Sequence, residues 1–122
     1  MTVIISVSLS IIINYIVNNV YLLGGAISVR NKEDWADALS VVNGTTHNLF
    51  CNKDYILQLY RAIMFKYPIG LGPIMEKKEG NECDDVCNRI RLENHDVTNE
   101  AHGHTYYREN LSKILKKINF VG

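Results

Sequence analysis

Thr45-Thr46-His47-Asn48-Leu49-Phe50-Cys51-Asn52-Lys53-Asp54-Tyr55-Ile56-Leu57 holds the change of periodicity on which the fold turns. Residues 45–51 read as a strand, ending in the apolar Leu49-Phe50-Cys51. Beyond it, Leu57, Tyr60, Arg61 and Met64 recur at helical spacing, and Asn52 or Asp54 is the residue type that opens a helix. A strand therefore passes almost directly into a helix, with a carboxylate at the junction. A second segment, Ala101-His102-Gly103-His104-Thr105-Tyr106-Tyr107, puts an imidazole after the strand expected around Ile90 and Leu92. A carboxylate and an imidazole at the ends of successive strands are the second and third members of a nucleophile–acid–histidine triad. Ser8, following Thr2-Val3-Ile4-Ile5, precedes both as the candidate nucleophile.

Outward from that junction the same alternation continues. Residues 2–5 read as a buried parallel strand, 9–17 as a short helix, and 20–23 as a second strand closed by Gly24-Gly25. Asn31 can cap a helix whose Trp35, Ala38, Leu39 and Val42 share a face. Residues 68–73, with Pro68, Gly70, Gly72 and Pro73, cannot prolong the helix before them. Residues 76–88 read as an exposed polar insertion. In the tail, 109–120, Leu111, Ile114, Leu115 and Ile118 make a helical stripe with lysines near its C-terminal end. The expectation is one α/β domain over residues 1–122, a parallel sheet with flanking helices.

With 122 residues, 47% hydrophobic and 21% charged, the chain fits one globular domain. Basic and acidic residues number 13 each, so no net charge draws it to nucleic acid, and none is expected as a partner. No charged side chain occurs between Thr2 and Val29. A signal peptide would open with basic residues, so secretion is not indicated. Residues 4–23 are long enough for a membrane span but contain Ser6, Ser8, Ser10, Asn14, Asn18 and Asn19. Two buried strands joined by a short helix are the preferred reading, and a membrane-associated location stays open beside a cytoplasmic one. Cys51, Cys83 and Cys87 are read as reduced thiols without a metal. The sequons at Asn43 and Asn110 carry no weight without secretion.

With these elements in place, the chain resembles the C-terminal half of an α/β-hydrolase. More closely, it is similar to the transmembrane and coiled-coil domain proteins that carry a hydrolase-like domain of unknown function. The resemblance rests on Val20-Tyr21-Leu22-Leu23-Gly24-Gly25-Ala26, Trp35, Val41-Val42-Asn43-Gly44, Asn48 and Asn52-Lys53-Asp54-Tyr55-Ile56-Leu57. It continues through Tyr60-Arg61, Gly70-Leu71-Gly72-Pro73-Ile74, Glu93-Asn94, Asp96-Val97-Thr98, Gly103-His104 and the region of Tyr107. It implies a truncated α/β-hydrolase-like fold lacking the first strands, with an open sheet edge through which chains could associate. It also implies acyl (ester or lipid-like) hydrolysis by Ser8, Asp54 and His104, without a cofactor or metal. Ser6-Val7-Ser8-Leu9-Ser10 stands where that family has Gly-x-Ser-Leu-Gly, so side chains occupy both positions whose glycines relieve the nucleophile's turn.

Two readings of Asp54 remain, triad acid or plain helix cap. The Gly-His pattern selects His104 over His102 as general base. His47 and His95 are read as structural or exposed, and a metal cluster of His95, His102 and His104 with Asp96 or Glu100 as the minor alternative. The competing function class is a non-catalytic module that binds a partner chain or a membrane.

Overall fold

The computed structural model of the protein describes residues 2–9, 15–28, 32–74 and 91–120. Among them lie strands β1 (Thr2–Leu9), β2 (Tyr15–Leu23), β3 (Thr46–Phe50) and β4 (Leu92–Asp96). The helices are α1 (Lys32–Ser40), α2 (Tyr55–Met64), α3 (Thr98–Ala101) and α4 (Leu111–Lys117). Two 3-10 turns, Ile69–Leu71 and His104–Tyr106, complete the described elements. The strands form one sheet in the order β1-β2-β3-β4. β2, β3 and β4 are parallel, with helices in the connections, so the protein is α/β with a parallel sheet and flanking helices.

β1 departs from expectation. It pairs antiparallel with β2, from Thr2 opposite Leu23 to Leu9 opposite Tyr15. The expected helix over 9–17 is overturned at both ends, where Leu9 and Tyr15–Val17 are strand; residues 10–14 lie outside the described residues. The reason is chain length. Reversing direction needs only a short connection, whereas a parallel crossover needs about a dozen residues or more, and only residues 10–14 separate the two strands. Ile16 and Val17 are also β-branched and resist helix. No helix among the described residues is long and apolar enough to cross a membrane.

The sheet separates two cores. On one face Tyr21, Leu23, Leu49, Cys51 and Val97 pack under Ala101, Tyr107 and Ile114. On the other, Leu22 meets Ile69 and Ile74, flanked by Val20, Trp35 and Leu92. Period-two alternation along β2 accounts for the split. Asn48, fully buried, belongs to the second face and anchors the loop there. Its Nδ2 donates to the carbonyls of Ile69 (3.2 Å) and Gly72 (3.0 Å), and to Asn94 Oδ1 at 3.2 Å. Asn94 in turn pairs with the backbone of Ile74, accepting from its N–H at 2.8 Å and donating to its carbonyl at 3.0 Å. Two side-chain amides thus tie the 68–74 loop to β3 and β4. The expected insertion, 76–88, lies outside the described residues, and so do Cys83 and Cys87.

Candidate functional site

The parallel strands end side by side, and each hands over to a loop at the same end of the sheet. β3 stops at Phe50, the chain turns through Cys51–Lys53, and Asp54 caps α2 from extended backbone (φ −75°, ψ 92°). Its Oδ1 accepts the Leu57 N–H at 3.0 Å, which satisfies one of the donors that every helix N-terminus leaves over. β4 stops at Asp96, and α3 follows. His102 closes α3 in the left-handed region (φ 56°), and Gly103 (φ 123°) then turns the chain so that His104 faces back toward β3. A side chain at Gly103 would strain that turn.

There the two segments meet. His104 Nδ1 lies 2.7 Å from Asp54 Oδ2, with the carboxylate fully buried and the imidazole side chain 30% exposed. One oxygen of Asp54 thus caps α2 and the other contacts His104. With the carboxylate on Nδ1, the tautomer that donates there leaves Nε2 as the lone-pair nitrogen. His102 is exposed, two residues away on its helix cap.

The floor beneath the pair is glycine. Gly24 has φ +60°, and a Cβ there would come within 3.1 Å of Tyr107 Cε2 and 3.6 Å of His104 Nδ1. At Gly70 a Cβ would clash with a Leu57 methyl and with the backbone of Gly24 and Gly25. Gly70 N–H donates to the Gly25 carbonyl at 2.7 Å and its carbonyl accepts from Cys51 at 2.9 Å, so it stitches the ends of β2 and β3 under the pair. Tyr107 packs beside them. Burial raises its phenol well above the ordinary value, with Cys51, Asp54 and Asp96 adding to the effect, and its hydroxyl has no hydrogen-bond partner among the described residues.

Ser8 is not brought to this pair. In β1 it stands opposite Ile16, whereas the ends that carry Asp54 and His104 adjoin Leu23. Seven residues of strand between Ile16 and Leu23 amount to about 23 Å. Of the three residues expected to form a triad, only Asp54 and His104 are brought together. The alternative metal set does not form either: His104 is committed to Asp54, and His95 lies in β4 beside His47 and Glu93. Sequence reasoning passed over that second cluster, although Glu93 and His95, two apart on one strand, share a face.

The chain is 30% identical over 105 residues to an uncharacterized membrane protein of Caenorhabditis elegans, covering 84% of this chain and 15% of that one. It is 35% identical over 106 residues to a protein of Saccharomyces cerevisiae described as the probable lipase MIL1, covering 84% and 9%. An uncharacterized membrane protein of Schizosaccharomyces pombe is 32% identical over 106 residues, covering 86% and 12%. The chain thus spans between 9% and 15% of the length of these relatives. No solved structure matches it. Residues 9–121 match a family whose description is "Protein of unknown function (DUF726)", and the chain belongs to that family.

Proposed function

We propose that Asp54 and His104 are the acid and base of a serine-hydrolase-type relay that acts on ester, lipid-like acyl substrates. The observation that carries this reading is the 2.7 Å contact between His104 Nδ1 and a fully buried carboxylate at the C-terminal end of parallel strands, the end where α/β proteins place their ligands. Likeness to the α/β-hydrolases and to a relative described as a probable lipase supports the substrate class. In such a relay the nucleophile's proton passes to His104 Nε2 as its oxygen attacks the acyl carbon. The imidazolium, held by Asp54, then returns that proton to the departing alcohol, and water repeats the sequence to release the acid. Ser8 is the nucleophile that the likeness assigns. It can act only if β1 leaves the register with β2 that separates it from the pair.

A fluorophosphonate probe tests the reading. Labelling of the folded chain that disappears in Ser8→Ala and drops at least about a hundredfold in His104→Ala supports the relay. A folded chain that does not label overturns it for this protein.

A second reading is favoured by α2. Its Tyr55 (74% exposed), Leu59 (62%), Ile63 (64%) and the following Phe65 (79%) face outward, while Leu57 alone among its residues is buried. An exposed apolar helix face suits a lipid interface. Co-sedimentation with phosphatidylcholine vesicles, lost in Leu59→Asp/Ile63→Asp, would support this membrane-surface role; equal sedimentation of both proteins would refute it.

A further inference from the structure

On the face of the sheet that packs against α4, three side chains converge that the Asp54–His104 pair does not use. The register sets Glu93 beside His47 and His95 beside Leu49, so residues 47, 49, 93 and 95 project to one side. His47 Nδ1 and His95 Nε2 lie 2.9 Å apart. Glu93 Oε2 is 3.4 Å from the first nitrogen and 3.5 Å from the second.

A hydrogen bond between two imidazoles explains the shortest of these distances and leaves the carboxylate unexplained. Glu93 stands almost equally far from both nitrogens and beyond the usual N–H···O separation of about 2.9–3.0 Å. A cation explains all three. Tetrahedral zinc with bonds of about 2.0–2.1 Å sets its ligand atoms about 3.3 Å apart. For the observed triangle, a centre about 0.8 Å out of the plane reaches every corner at about that bond length.

The geometry points to a divalent-cation site of the zinc class, with His47 Nδ1, His95 Nε2 and Glu93 Oε2 as ligands and a fourth position open to solvent. Two imidazoles and a carboxylate are a donor set that zinc takes, with water completing the tetrahedron. The site is held in place without the metal. The His47 ring stacks on Tyr21 (centroids 4.6 Å apart, planes within 4°), whose edge contacts Phe120 at 5.0 Å, and the two imidazole rings stack at 5.2 Å. The histidine side chains are 13% and 22% exposed and that of Glu93 is 58% exposed, which gives an ion a way in. The nearby cation, Lys117, is engaged by Glu100 Oε2 at 3.0 Å and the Asp96 carbonyl at 2.7 Å. A metal here would bridge β3 to β4, the strands that carry Asp54 and His104.

The test uses the full chain in a Cys83→Ser/Cys87→Ser background, so that those thiols cannot supply ligands, stripped with chelator and titrated with Zn²⁺ by calorimetry. Co²⁺ serves as the spectroscopic probe. One equivalent of Zn²⁺ and the d–d absorption of a low-coordinate cobalt site are expected. Losing even a residue that only orients a ligand costs about 10–100-fold in affinity. His95→Ala and Glu93→Gln should therefore each weaken Zn²⁺ at least about tenfold, with His102→Ala unchanged. Glu93, being exposed, can be replaced without disturbing the core, so its variant keeps the test decisive should His95→Ala fail to fold. Absence of stoichiometric binding, or equal affinity in Glu93→Gln, would reduce the cluster to a hydrogen-bonded histidine pair.

Discussion

Two histidine arrangements sit on one small sheet, and they are built on opposite plans. At the strand ends, His104 is 30% exposed and leans on a carboxylate that has no exposure at all. Between β3 and β4, the imidazoles of His47 and His95 are the covered groups, and their carboxylate, Glu93, is 58% exposed. A buried carboxylate beside a reachable imidazole suits proton transfer, because the charge that steadies the imidazolium is fixed while the working nitrogen can meet a substrate. Covered imidazoles beside a reachable carboxylate suit capture, because neutral donors wait in place and the charged ligand can swing onto an ion. Which partner is buried, more than which residues are present, is what distinguishes the proposed relay from the proposed cation site.

The largest effect should come from stripping the buried carboxylate. Asp54→Ala removes both the helix cap and the partner of His104 and should cost about 2–4 kcal/mol in urea unfolding. Asp54→Asn keeps the cap and should cost about 1 kcal/mol or less by that route, while still disabling a relay. Equal losses would mean that the cap is not what Asp54 contributes. Gly70→Ala tests the floor of the same site. Its methyl would meet Leu57 and the Gly24-Gly25 backbone, for an expected loss of about 1–3 kcal/mol. A neutral outcome would show that the two strand ends can separate.

The covered histidines predict a pH dependence. With their folded pKa values depressed, the unfolded chain takes up protons first. Their contribution is thus full above the unfolded value of about 6.5 and is lost as pH falls through the folded values. In chelator, urea midpoints should decline from pH 7 toward pH 5, and the decline should be shallower in His95→Gln. An identical profile in that variant would detach the slope from this cluster. The smallest effect belongs to Tyr107→Phe. Its hydroxyl is buried without a partner among the described residues, so removal should leave stability unchanged or raise it by up to about 1 kcal/mol; a clear loss would reveal an interaction at that oxygen.

Much of this was legible in the chain because the informative signals were local. Strand β3 running into α2 through Asp54, and Gly103-His104 after β4, are read from neighbouring residues. The direction of β1 was misread because its apolar run suits either direction, and only the brevity of residues 10–14 forbids a parallel crossover. His47, Glu93 and His95 were missed as a group because their meeting depends on the register of two strands 41 residues apart (Phe50 to Leu92 leaves residues 51–91 between them), which no local pattern encodes. The tail helix was drawn too long, over 109–120. It ends at Lys117, and Asn119 adopts the left-handed region (φ 51°), which asparagine tolerates.

The divided loyalty of Asp54 has a bearing on how such a domain would age. If His104 were lost, Oδ2 of a fully buried carboxylate would be left without its partner, yet α2 would still need an acceptor at its first turn. A neutral acceptor meets that need without the buried charge, so an acceptor at this position is by itself a poor witness to a proton relay. In a descendant of this fold without the proposed relay, the expected trace is asparagine or serine at this position, facing a residue other than histidine.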